Sequence, residues 1–91
     1  MSEAMDQTRT LHRRIKEILL LEWDPIGITS MQGAQDEYDS YIPMISAMLI
    51  ARKLVHEVFE YLLWVETQHM GLASDRQRTQ HVAEMLVTLS R

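Results

Sequence analysis

Glu66 and His69 form the pair whose residue types and spacing best suit metal chemistry. Carboxylate oxygens and imidazole nitrogens both bind divalent metals, and di-iron carboxylate bundles use E-x-x-H pairs of this kind. On a regular helix both side chains would project with the apolar stripe, with His69 near its centre. A di-iron site needs a second E-x-x-H and two more glutamates, so a complete site would require a symmetric partner chain. The alternative is a partly buried histidine near a helix end, bonded to Glu66 or to a carbonyl.

Acidic residues are the second group with possible ligand chemistry, and they lie in a segment, residues 23–43, that contains no basic residue. The acids of this segment are Asp24, Asp36, Glu37 and Asp39. Their oxygens suit Mg²⁺ or Ca²⁺, but their spacing does not match a calcium loop with ligands alternating over about twelve residues. The sequence favours a structural role, with Asp36 and Glu37 at a helix N-terminus, where the helix dipole favours negative charge. It also predicts that Asp36, Glu37 and Asp39 form an acidic surface that binds a protein partner.

The stretch WDPIGI, residues 23–28, predicts a turn that anchors the chain after the first helix. An aspartate before a proline initiates turns, and glycine readily adopts positive φ. The residues predicted to anchor the loop are Trp23, Asp24, Pro25 and Gly27, with Ile28 docking beside them.

Composition restricts the kinds of partner. The formal net charge of −4 argues against a general nucleic-acid binder. The longest nearly apolar run, residues 42–51, is shorter than the ~20 residues of a membrane span. The chain has no cysteine, which agrees with a reducing compartment. We therefore expect a cytoplasmic protein with no cofactor, no nucleic-acid partner and no membrane partner.

Periodic apolar residues predict helices and no sheet. Helix one is predicted over about residues 4–21, with Leu11, Ile15, Ile18, Leu19 and Glu22 in its i, i+4, i+7 pattern. Helix three is predicted to end near Met70-Gly71, because glycine suits the left-handed position after a helix. Ser74 is the predicted N-cap of helix four.

Helix two contains a proline that leaves two interpretations open. Either the helix begins at Ser40, which places Pro43 in its first turn, or it begins near Gln35 and kinks at Pro43. Apolar periodicity reaching back to Tyr38 favours the kinked helix. Whether helices two and three merge around Arg52 is left open.

These segments together predict the fold. A chain of 91 residues has material for one core. The prediction is a single all-α domain, residues 1–91, built as a small bundle of three to four helices. A long ordered loop, residues 22–36, is expected between helices one and two.

Trp64 lies on the polar side of helix three in this pattern. A helix with apolar residues on more than one side is central in its bundle or covered by a partner. Trp64 is therefore predicted to bind a partner, and symmetric dimers are the commonest way to cover such surface, so a homodimer is predicted.

Three short motifs resemble those of a group of short bacterial proteins: D-P-x-G-[IV] at residues 24–28, D-E-Y-D at 36–39 and M-G-L at 70–72. The resemblance covers about residues 20–72 and implies no established activity. By analogy, some similar small acidic helical proteins accompany bacterial toxins as immunity factors.

No pairing of a catalytic base with a nucleophile is evident in the sequence. The leading hypothesis is a non-enzymatic, immunity- or regulator-like protein-interaction module with an acidic surface. The alternative is a metal-binding or metal-dependent helical bundle that uses Glu66 and His69.

Overall fold

The computed structural model describes residues 3–24, 27 and 37–90, and side chains from residue 7 onward. Within these residues the chain is all-α, as predicted, and contains no strand. The four α-helices are α1 (Glu3–Ile18), α2 (Ile42–Ile50), α3 (Val55–Trp64) and α4 (Arg76–Thr88). Most of the predicted loop, including Pro25, Ile28 and Asp36, lies outside the described residues.

All four helices contribute to one apolar cluster. α3 packs against α4, and α1 packs against α2 and α4. The fully or almost fully buried members from the α-helices include Ile15, Ile45, Leu49, Val58, Leu62, Val82 and Leu86. Burial of each such side chain contributes about 1.5–3 kcal/mol, so the apolar stripes, rather than polar contacts, hold the helices together.

α1 continues into a widened, π-helical turn, Leu19–Trp23, so the helical path extends beyond the predicted end at residue 21. The N–H of Asp24 donates to the carbonyl of Leu19, five residues back, at 2.8 Å. The extra residue in this turn places Trp23 in the core and leaves Glu22 exposed. Trp23, and not Glu22, therefore continues the buried face of α1 beyond Leu19.

Asp24 ends this turn and connects it to Tyr38 in the segment before α2. Its φ of 35° is in the left-handed region, where aspartate is found more often than most non-glycine residues. Its Oδ1 accepts a hydrogen bond from the hydroxyl of Tyr38 at 2.8 Å. Tyr38 is fully buried, and its ring packs on Trp23 with centroids 5.6 Å apart. The end of α1 is thereby fixed to the segment that enters α2.

α2 begins after a 3-10 turn, Asp39–Tyr41, and Pro43 lies in its first turn. The favoured prediction, a kinked helix that begins near Gln35, is wrong on the kink. A proline in the first turn removes an N–H that has no helical acceptor, so the helix does not bend. The apolar spacing continues back to Tyr38 because the 3-10 turn bonds residues three apart, from the Tyr41 N–H to the Tyr38 carbonyl.

α2 and α3 are separate helices. Arg52 has a left-handed φ of 59°, and its N–H donates to the Leu49 carbonyl at 3.0 Å. The N–H of Lys53 donates to the Met48 carbonyl at 3.0 Å, which completes a Schellman motif. The side chain of Glu57 accepts from the Leu54 N–H and so satisfies a donor at the start of α3.

α3 also ends in a π-helical turn, Val65–His69, closed by a hydrogen bond from the Met70 N–H to the Val65 carbonyl. Gly71 then adopts a φ of 70°, which confirms the predicted stop. The N-cap of α4 is Asp75 and not Ser74, because the Asp75 carboxylate accepts from the Arg78 N–H at 3.1 Å.

Replacing Tyr38 with phenylalanine tests the connection between α1 and α2. The substitution keeps the buried ring and removes the donor to the Asp24 carboxylate, so we expect the free energy of unfolding to fall by about 1.5–3 kcal/mol. Urea denaturation followed by far-UV circular dichroism measures the change. Tyr41→Phe is the matched control, with an expected change of about 0.5 kcal/mol or less. Equal effects of the two substitutions would contradict a specific role for the Tyr38 hydroxyl.

Candidate functional site

Four rings meet at the surface where α3 faces the entrance of α2, and we call them the aromatic cluster: Tyr41, Tyr61, Trp64 and His69. The Trp64 indole stacks on the His69 imidazole, with centroids 5.9 Å apart and an interplanar angle of 25°. The Trp64 indole also stacks on the Tyr61 ring, with centroids 6.4 Å apart and an interplanar angle of 22°. Tyr41 meets His69 edge to face at 5.8 Å. These separations and tilts are those at which aromatic pairs attract.

The cluster is half in the core and half in solvent. Tyr41 and Tyr61 are partly buried and pack against the apolar core. Trp64 is 52% exposed, and His69 is exposed beside it. Burial, with a further contribution from the neighbouring Tyr41 phenol, raises the pKa of Tyr61 above its ordinary value of 10.0. The cluster presents to solvent a tryptophan that packs between the rings of Tyr61 and His69.

The π-helical turn at the end of α3 creates the contact between Trp64 and His69. In a regular helix, residues three and four apart are neighbours on the surface. A π-helical turn bonds residues five apart, so it brings position 69 beside position 64. The prediction that His69 lies on the apolar stripe is wrong for this reason. Met70, one residue further along, packs on the core in its place.

Glu66 faces the protein interior, as the apolar stripe predicts, and is 3% exposed. Its Oε1 accepts from the Thr79 hydroxyl at 2.7 Å, and its Oε2 accepts from the Asp75 N–H at 3.2 Å. Thr79 is also fully buried. Glu66 therefore joins the end of α3 to the first turn of α4, and both of its oxygens are engaged.

Glu66 and His69 therefore lie in different environments. The Glu66 side chain is buried, and the His69 side chain is exposed. Within the described residues, no group of three or more histidine, aspartate or glutamate side chains is arranged to hold a metal ion. The Glu66 carboxylate accepts hydrogen bonds from Thr79 and Asp75, whereas the His69 ring contacts Trp64 and Tyr41.

The predicted acidic surface is only partly free of counter-charge. Asp39 pairs with Lys16 of α1, with Nζ 3.3 Å from Oδ1 and 3.4 Å from Oδ2. Glu37 is exposed, and Asp36 lies outside the described residues. The segment has no basic residue of its own, and tertiary packing supplies one from α1.

The predicted loop anchor combines buried and exposed residues. Trp23 is 1% exposed, and Asp24 bonds to Tyr38 as described above. Gly27 is exposed with a φ of 77°, and its N–H donates to the Asp24 carbonyl at 3.1 Å. The sequence contains no local pattern that pairs Tyr38 with Asp24, because the two residues are 14 positions apart.

Local sequence spacing does not predict most of the aromatic cluster. Trp64 was singled out, and the i, i+3 spacing of Tyr61 and Trp64 was a visible signal for a stacked pair. His69 and Tyr41 carried no such signal, because one joins through a π-helical turn and the other comes from a different helix.

Comparison with protein-family models, with curated proteins and with solved structures finds no match for this chain. The resemblance to short bacterial proteins stays a prediction. Among the described residues, no helix has both the length and the apolarity needed to cross a membrane. Function is therefore inferred from the chemistry of the site.

Glu66→Gln tests the structural role of the buried carboxylate. Both oxygens of Glu66 accept from donors, and an amide would place an NH₂ group against one of them. We expect a loss of about 1–3 kcal/mol in the free energy of unfolding, measured by urea denaturation. Glu60→Gln, an exposed residue on α3, makes the same change in charge and should shift stability by about 0.5 kcal/mol or less. A neutral effect of Glu66→Gln would show that the contact to α4 is dispensable.

Proposed function

We propose that this chain is a non-enzymatic protein-interaction module whose contact surface is the aromatic cluster centred on Trp64. The observation that carries the proposal is a half-exposed tryptophan held between two other rings. An isolated exposed apolar residue is ordinary, but four contacting rings at one place form an organised surface.

The physical advantage of this surface is that the Trp64 ring is restrained by its contacts with Tyr61 and His69. A side chain that is ordered before binding loses less conformational entropy when a partner docks on it. Tryptophan and tyrosine are also the residues that most often dominate binding energy at protein interfaces. Met44, exposed one turn after Tyr41 on α2, adds adaptable apolar surface next to the cluster.

Charge near the cluster favours a partner with basic groups at its edge. Glu60 is exposed one turn before Trp64 on α3, and the chain carries a formal net charge of −4. Charges at the rim of an interface accelerate association and select partners more than they increase affinity. Glu37 and Asp36 of the predicted acidic surface are proposed to attract such a partner as well. Asp39 is already paired with Lys16.

The immunity- or regulator-like role and the homodimer remain proposals of the same kind. A second copy of the chain is one candidate for covering Trp64, since self-association is common for exposed apolar surface. The alternative function, metal binding through Glu66 and His69, gains no support from the geometry, because both Glu66 oxygens accept hydrogen bonds within the protein.

Photocrosslinking identifies the partner and locates the surface. A photoreactive phenylalanine analogue at Gln68, an exposed position one turn from Trp64, should crosslink a discrete protein in the cells that make this chain. The same analogue at His56, exposed near the start of α3 and two turns before Trp64, is the matched control and should crosslink little. Mass spectrometry of the product distinguishes a different protein from a second copy.

Trp64→Ala then measures the contribution of the cluster. We expect the affinity for the identified partner, or for the second copy, to fall roughly 30-fold or more by calorimetry or sedimentation. Ile50→Ala removes a similarly exposed apolar side chain from α2, outside the cluster, and should change affinity little. Equal losses for the two variants would contradict the proposal.

A further inference from the structure

A second surface, separate from the aromatic cluster, has the properties of a small-molecule site. A cavity of about 700 Å³ lies between the π-helical end of α1 and the first half of α4. The residues that line it are Leu20, Leu21, Glu22, Trp23, Asp24, Gly27, Arg78 and His81. A volume of this size is within the range that proteins use for small organic ligands.

One of the residues that line the cavity has a buried donor without an acceptor. Trp23 is the most buried of the lining residues, at 1% exposed, and its indole Nε1–H is buried with no hydrogen-bond acceptor among the described residues. Buried donors of this kind are uncommon, since leaving one unsatisfied is unfavourable. Because Trp23 lines the cavity, this indole N–H reports on occupation of the cavity.

The outer part of the cavity contains the side chains of Arg78 and His81 and one unusually exposed apolar side chain. Arg78 and His81 lie one turn apart on α4, and both are exposed. The Arg78 guanidinium also lies 3.7 Å from the Asp75 carboxylate. Leu21 is 70% exposed, the most exposed of the large apolar side chains in the described part of the chain. An apolar ligand body would cover Leu21 while its anionic end meets Arg78 and His81.

Two acids line the cavity and a third, Asp75, pairs with Arg78, so together they limit how much negative charge the cavity accepts. Asp24 directs a carboxylate oxygen to the Tyr38 hydroxyl at 2.8 Å, and Glu22 is exposed at the rim. With these charges nearby, a ligand with one negative charge is favoured over a polyanion.

We propose that this cavity binds small amphiphilic monocarboxylates, with the carboxylate at Arg78 and His81 and the apolar body against Leu20 and Leu21. Arginine is well suited to this role because its guanidinium matches carboxylate geometry. The site is independent of the aromatic cluster, so either proposal can fail without the other.

The test follows the two indole N–H cross-peaks of the full chain by ¹H–¹⁵N NMR, assigned with Trp64→Phe. The probe is 4-phenylbutyrate, and its neutral amide is the matched control ligand. We expect the Trp23 cross-peak to shift saturably with the carboxylate, while the Trp64 cross-peak serves as an internal reference that stays in place. Absence of a saturable Trp23 shift, or an equal shift with the amide, would overturn the proposal.

Two variants locate the probe. Arg78→Gln should weaken binding roughly tenfold or more, since it removes a charge-assisted contact. Arg76→Gln makes the same charge change two residues away, where the guanidinium lies over the Phe59 ring, and should leave affinity nearly unchanged. Leu21→Ser should also weaken binding. Equal effects of Arg76→Gln and Arg78→Gln would show that net charge alone, and not this cavity, attracts the probe.

Discussion

The widened turn at the end of α3 is the constraint on which both the packing and the candidate site depend. A hydrogen bond from the Met70 N–H to the Val65 carbonyl, five residues back, adds one residue to the turn. That residue changes which side chains face the core. Glu66 stays inward and meets α4, whereas His69 turns outward to stack on Trp64. Without it, a histidine would lie in the apolar core and the exposed tryptophan would lose one of its neighbours.

A π-helical turn at the end of α1 has a parallel effect. It moves Trp23 into the core where a regular helix would direct Glu22, and Asp24 then fixes the turn through Tyr38. The indole N–H of Trp23 becomes buried without an acceptor in the described part of the protein, and Trp23 also lines the neighbouring cavity. Both candidate surfaces therefore originate where a helix ends irregularly. This agrees with the frequent occurrence of π-helical turns at functional sites.

Tertiary packing also determines which of the acidic residues is paired with a basic one. The acidic segment before α2 lacks any basic residue in sequence, yet Asp39 finds Lys16 across the interface with α1. A partly exposed pair of this kind contributes little stability, on the order of 0–1 kcal/mol. Its consequence is for recognition, because a paired carboxylate attracts a basic partner less than a free one. For this reason the proposed contact surface is the aromatic cluster, with the exposed Glu60 one turn from Trp64.

The amino-acid sequence by itself determined that the chain is all-α, that a glycine stops the helix at residue 71, and that Trp64 stands off the apolar stripe. Local spacing is sufficient for such features, because they depend on the regular helical period and on backbone preference. Only the tertiary structure decided that Glu66 and His69 separate, that Pro43 starts a helix without kinking it, and that Tyr41 completes the cluster. Each depends on a departure from the regular period, or on contact between distant segments, and a single helical template contains neither.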